Sequence, residues 1–107
     1  MKALIVTAAA FAAFAGVAQA GVSNLNYLEA ARCRGLAASE NLGKLDTTTL
    51  DAFLRDEGAA RDLAVRTSAI NKMQAALKEA NAADGEKKAK LLAQRDGACA
   101  AFIAGGK

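Results

Sequence analysis

The side chains able to do chemistry in this chain are two cysteines, three arginines set among apolar residues, and a scatter of carboxylates; histidine is absent throughout. Without imidazole, histidine-based acid–base catalysis, a Ser-His-Asp triad, c-type haem attachment and histidine-ligated zinc are excluded. Cys33 and Cys99, 66 positions apart, cannot make a structural zinc site alone. Asp46, Asp51 and Asp56 lack the Gly and terminal Glu spacing of a calcium loop, and the scattered glycines form no phosphate-binding loop. Asp51 with Arg55, Glu57 with Arg61, Asp62 with Arg66 and Glu86 with Lys90 stand four residues apart in the order that suits solvated helix pairs. These observations predict a protein that is not an enzyme and uses no metal and no cofactor.

Two constellations remain. Arg32 lies between Leu28 and Leu36, Arg66 between Leu63 and Ile70, and Arg95 between Leu92 and Cys99, each inside the apolar stripe of its segment. Such arginines either lay their stems on the core edge with the guanidinium in water, or converge on a carboxylate. The second alternative makes Arg32, Arg66 and Arg95 a candidate cluster for an internal acid or an anionic ligand. Tyr27, the one aromatic with a polar handle, reads as a rim residue. The cysteines are the other constellation. An even number in a small exported domain reads as a disulfide, Cys33 to Cys99, and nothing resembles the Cys-x-x-Cys of a redox pair. Closing so long a loop is worth ~4 kcal/mol in the chain-entropy model.

Export is read from the N-terminus. Lys2 is followed by an uncharged, mostly apolar run from Ala3 to Val17, and Ala18-Gln19-Ala20 supplies a small-x-small cleavage pattern. The sequence therefore predicts a signal peptide over residues 1–20 and a single helical domain over 21–107. The alternative is a membrane anchor, since a spanning helix needs ~20 apolar residues; the Ala-rich composition and the polar Gln19, Ser23 and Asn24 weigh against it. After cleavage no integral membrane segment remains, and the expected location is the periplasm or the outside of the cell.

Helices must position these residues. Proline is absent, Ala dominates, and β-branched residues are sparse apart from Thr47-Thr48-Thr49, so local preference is helical. Ser23 or Asn24 can cap a first helix, with Leu25, Leu28 and Leu36 on one face and its end at Asn41-Leu42-Gly43. Asp46 is the expected cap of a second helix, with Leu45 stapled to Leu50, and Leu50, Phe53 and Leu54 as its buried face. The later stripe of Leu63, Ile70, Met73 and Leu77 lies roughly opposite that face, which favours a bend or turn near Gly58. A third helix should then run from about Ala60 to Asn81. A last helix, capped by Asp84, carries Leu91, Leu92, Cys99, Phe102 and Ile103 in one stripe, and Gly105-Gly106-Lys107 frays off its end. The expected fold is all-α: a small antiparallel bundle of three to four helices stapled by one disulfide.

Removing Lys2 lowers the net charge from +3 to +2, too mild to imply nucleic acid. The chain is similar in kind, though not in motif, to small disulfide-bonded helical proteins of the bacterial periplasm, some of which are acid-stress chaperones. The composition points to a non-catalytic protein of the cell envelope that binds another protein or envelope component, with a homodimer also open. A stress-responsive holdase is the alternative. A membrane-active protein using the last helix with Lys87, Lys88, Lys90 and Lys107 is the weakest of the three.

Overall fold

The structure is a computed structural model and describes residues 22–104. The expected signal peptide and the expected fraying of Gly105 to Lys107 lie outside the described residues. Within them are five helices and no strand: α1 (Asn24–Ala38), α2 (Thr48–Gly58), α3 (Leu63–Ala82), α4 (Gly85–Asp96) and the single turn α5 (Ala100–Ile103). The all-α bundle stapled by one disulfide is therefore present. Its last expected helix is divided in two.

Helix α1 is the centre of the bundle, and every other helix packs on it, α3 most extensively. Ser23 starts α1 by accepting a hydrogen bond at its Oγ from the Asn26 N–H at 3.1 Å. The helix ends at Ala38, three residues short of the expected stop. Ser39 leaves the helix because its hydroxyl is engaged elsewhere: it donates to Asn81 Oδ1 at 2.7 Å and accepts from the Leu42 N–H at 3.2 Å. The Asn41 amide then donates to the Ala80 and Ala83 carbonyls at the end of α3. These bonds satisfy carbonyls that a helix end leaves unpaired. Gly43, at φ +92°, makes its left-handed turn in the loop that follows rather than at the helix cap.

Asp46 acts from one residue outside the second helix, where Thr47 occupies the cap position. Its Oδ1 accepts from the Thr48 N–H at 2.9 Å and from the Thr48 hydroxyl at 2.7 Å. Leu50 is fully buried, and Phe53 and Leu54 pack against the core at its margin. The break near Gly58 is real: α2 stops there, and α3 begins at Leu63. A Cβ on Gly58 would stand 2.9 Å from the Tyr27 hydroxyl. Tyr27 is consequently a buried residue and not the expected rim residue, because the missing side chain at Gly58 makes room for its phenol.

The apolar faces differ most from expectation where α1 meets α3. The buried seam of α3 is Ala69, Ala76 and Ala80, one position out of phase with the larger residues. One residue is a rotation of about 100° on a helix. Leu63 and Ile70 are accordingly 71% and 50% exposed, and on α1 Leu25 is 74% exposed. The reason is Gly35. A Cβ there would overlap the Met73 carbonyl oxygen and stand 2.9 Å from Ala76 Cβ and 3.1 Å from the Leu77 nitrogen. The two backbones approach so closely that only small side chains fit between them.

Helix α4 ends at Asp96, and the chain turns at Gly97, where φ is −99° and ψ is −86°. The turn brings Cys99 to Cys33, with Cα atoms 5.5 Å apart and both residues buried, and closes the disulfide. Beyond it, Phe102 packs on Phe53 with ring centroids 6.0 Å apart. A continuous helix would have presented Cys99 and Phe102 along one straight stripe; the bend lets them meet α1 and α2 separately.

Candidate binding face

The three arginines singled out by their apolar surroundings take separate partners. Arg32 reaches from α1 to Glu79 Oε1 on α3 at 3.3 Å and to Gln94 Oε1 on α4 at 2.9 Å. Arg95 is buried, 8% exposed, and donates from Nη1 to the Leu42 and Gly43 carbonyls at 2.9 and 2.8 Å, while its Nε meets Asp96 at 3.1 Å. It holds the α1–α2 loop to α4. Arg66 is exposed, with no carboxylate in ion-pair range among the described residues. No hydrogen-bond partner is shared by any two of them. The acid that meets one of these arginines across the bundle is Glu79.

Two further arginines matter that their sequence surroundings did not mark. Arg34 crosses from α1 to Asp51 on α2, Nε to Oδ1 at 2.7 Å and Nη2 to Oδ2 at 3.4 Å. That bond, helped by the Thr47 hydroxyl, holds the Asp51 carboxyl below the usual carboxylate range. Asp51 is thereby taken from Arg55, its expected partner, which lies 3.6 Å from Asp56 instead. Arg61 does pair with Glu57 as expected, at 3.0 Å, and also donates to the Val22 carbonyl at 2.6 Å and to Asn24 Oδ1 at 2.9 Å. Its guanidinium carbon stands 5.3 Å from the centre of the Tyr27 ring. Spacing along one helix could find the Glu57–Arg61 pair; the cross-helix bonds of Arg32 and Arg34 join residues 17 to 62 positions apart.

The basic residues thus divide by type. Every arginine except Arg66 is paired with a carboxylate, whereas Lys87 is the one lysine so paired among the described residues, 3.6 Å from Glu79 Oε2. The planar guanidinium suits fixed pairs inside the fold, and the ammonium stays hydrated at the surface. The charge also divides by place. Six acidic residues face three basic ones between Glu40 and Asp62; seven basic residues face four acidic ones between Leu63 and Asp96.

Four lysines, Lys78, Lys87, Lys88 and Lys90, and three acids, Glu79, Asp84 and Glu86, lie around the corner where α3 turns into α4. Two open depressions flank Lys87 there. One, of about 380 Å³, is lined by Glu79, Glu86, Lys87, Lys90 and Leu91. The other, of about 360 Å³, is lined by Ala75, Lys78, Glu79, Ala82, Ala83 and Lys87. Leu91 and Ala83 are buried and provide an apolar floor beneath charged rims. A third, smaller depression under Leu25 and Leu28 adjoins Arg32 and Lys72, and Arg32 joins it to Glu79. Among the described residues no group of three or more potential ligands is placed to hold a metal. No helix among them is long and apolar enough to cross a membrane. The face offers ammonium groups, two carboxylates and recessed apolar surface.

No protein-family model, no curated protein and no solved structure matches this chain.

Proposed function

We propose that this is an exported, non-catalytic binding protein of the cell envelope, whose working surface is the lysine-rimmed face at the α3–α4 corner. The observation that carries this reading is the pair of depressions around Lys87, with apolar floors and lysines left without acidic partners. Apolar surface fenced by charge provides both burial area and orientation for a macromolecular partner. The signal-peptide pattern and the buried disulfide support export into the periplasm or beyond, where such a bond persists. The absence of histidine supports a non-catalytic role.

The test is photo-cross-linking in the producing cell, with a benzophenone side chain placed at Ala75 within the face or at Ala98, exposed on the Gly97 turn. Discrete protein adducts from Ala75 and none from Ala98 are the expected result. Equal labelling from both positions, or none from either, refutes the reading.

A further inference from the structure

We infer that the occupant of the α3–α4 face is an acidic, partly apolar protein segment; this rests on the binding role proposed above and names its partner chemistry. The first argument is charge. Lys78 and Lys90 rim opposite depressions, and neither meets a carboxylate of this chain among the described residues. Lys72 and Lys88 extend the same imbalance along α3 and α4. Opposite potentials across an interface steer encounter and fix register, so the matching surface carries carboxylates.

The second argument is shape. Leu91 and Ala83 are recessed below the lysine rims, and the exposed apolar groups of this face, Ala75 and Ala82, are single methyls. A bilayer surface needs apolar side chains that project outward from a basic face. A recessed floor instead receives a side chain inserted from the partner, as a leucine among acidic neighbours would be. The third argument is the pair of acids in the walls. Glu79 already pairs with Arg32 and Lys87, and Glu86 stands at the rim without an ion-pair partner among the described residues. None of the residues lining these depressions is aromatic or arginine, the groups on which nucleic-acid bases stack. A polypeptide suits both signs at once, since its carboxylates meet the lysines while its backbone N–H groups can meet Glu86.

The test is fluorescence anisotropy with a labelled twelve-residue peptide of Glu-Glu-Leu repeats, added to the exported, oxidised protein at about 20 mM and about 300 mM salt. Saturable binding that weakens at the higher salt is expected. The K78E/K90E double variant should bind roughly tenfold more weakly, while K44E, at a lysine that lines neither depression, should bind as the wild type does. Circular dichroism checks that the variants fold, and K78Q/K90Q replaces the charge reversal if they do not. Equal binding by the wild type and the double variant overturns the inference. So does tighter binding of the Lys-Lys-Leu counterpart, of phosphatidylglycerol vesicles or of an oligothymidine. Failure of the peptide together with Ala75 adducts overturns the partner chemistry alone; absence of the adducts removes the binding role itself.

Discussion

Replacing Gly35 with alanine separates local preference from tertiary packing, because the two predict opposite signs. Gly35 is inside α1, and on helix preference alone the change should stabilise the protein by about 1 kcal/mol. The structure predicts the reverse. The new methyl would overlap the Met73 carbonyl oxygen and press on Ala76 Cβ from 2.9 Å and on the Leu77 nitrogen from 3.1 Å. All three are backbone atoms or a Cβ, so no rotamer change relieves the clash. Helix α1 must move away from α3, and Cys33, two residues away and bonded to Cys99, restricts that movement. Overpacking of this kind costs ~1–3 kcal/mol, and opening the alanine seam adds roughly 25 cal/mol for each Å² of apolar surface uncovered. Set against the gain in helix preference, a net loss of about 1–2 kcal/mol follows. For a domain of this size that lowers the melting temperature by roughly 5–15 °C. Thermal unfolding followed by circular dichroism on the oxidised protein reads this directly, and Gly35→Ser should fall at least as far. A Gly35→Ala protein as stable as the wild type, or more so, would refute the close approach of α1 and α3.

Three further outcomes are expected. Cys33→Ser should lower the unfolding free energy by an amount on the order of 3–4 kcal/mol, since so alanine-rich a core has little else to hold α1 to the chain beyond Gly97; urea unfolding measures it, and an unchanged midpoint would contradict the dependence. Arg95→Met keeps the stem but leaves the Leu42 and Gly43 carbonyls without their donor, at a cost of about 2–3 kcal/mol by the same assay, whereas Arg66→Met at its exposed site should change stability by under about 0.5 kcal/mol. In acid, Asp46 and Asp51 have folded pKa values below the ordinary one, so their stabilisation is complete above that ordinary value and is lost as the pH falls through the folded values. Asp51 is half exposed, which limits its share to under about 1 kcal/mol. The protein should therefore stay folded and bind no apolar dye down to about pH 4; a sharp rise in dye signal above that pH, with suppression of client aggregation, would favour the holdase alternative.

Much of the candidate site was hidden from sequence because its residues are ordinary ones in an unusual arrangement. Lys78, Lys87 and Lys90 read along the chain as solvated helix positions, and that is what they are locally. Spacing pairs Glu86 with Lys90; in the structure the two line one depression without forming an ion pair. Glu79 has no charged neighbour at i,i+4 spacing, yet it joins three elements by pairing with Arg32 on α1 and Lys87 on α4. Position along one helix carries no information about which other helix faces it, so cross-bundle pairs cannot be read from i,i+4 spacing.

What the sequence by itself determined follows from local and compositional physics. Proline-free, alanine-rich segments form helices; Ser23 and Asp46 mark two starts; Gly58 marks a break; and two cysteines in a small chain make one bridge. Each depends on backbone preference, on capping within a few residues, or on the scarcity of alternatives. The tertiary structure alone decided which face of α3 is buried, whereas the expected faces carrying Leu50 on α2 and Leu91 on α4 are buried as periodicity predicts. Hydrophobic periodicity nominated Leu25, Leu63 and Ile70, but the close crossing at Gly35 requires small residues and moves the seam to Ala69, Ala76 and Ala80. In α3, where alanine lies on every side of the helix, periodicity cannot identify the buried side. The distance between two backbones does so, and it is fixed only when the helices meet.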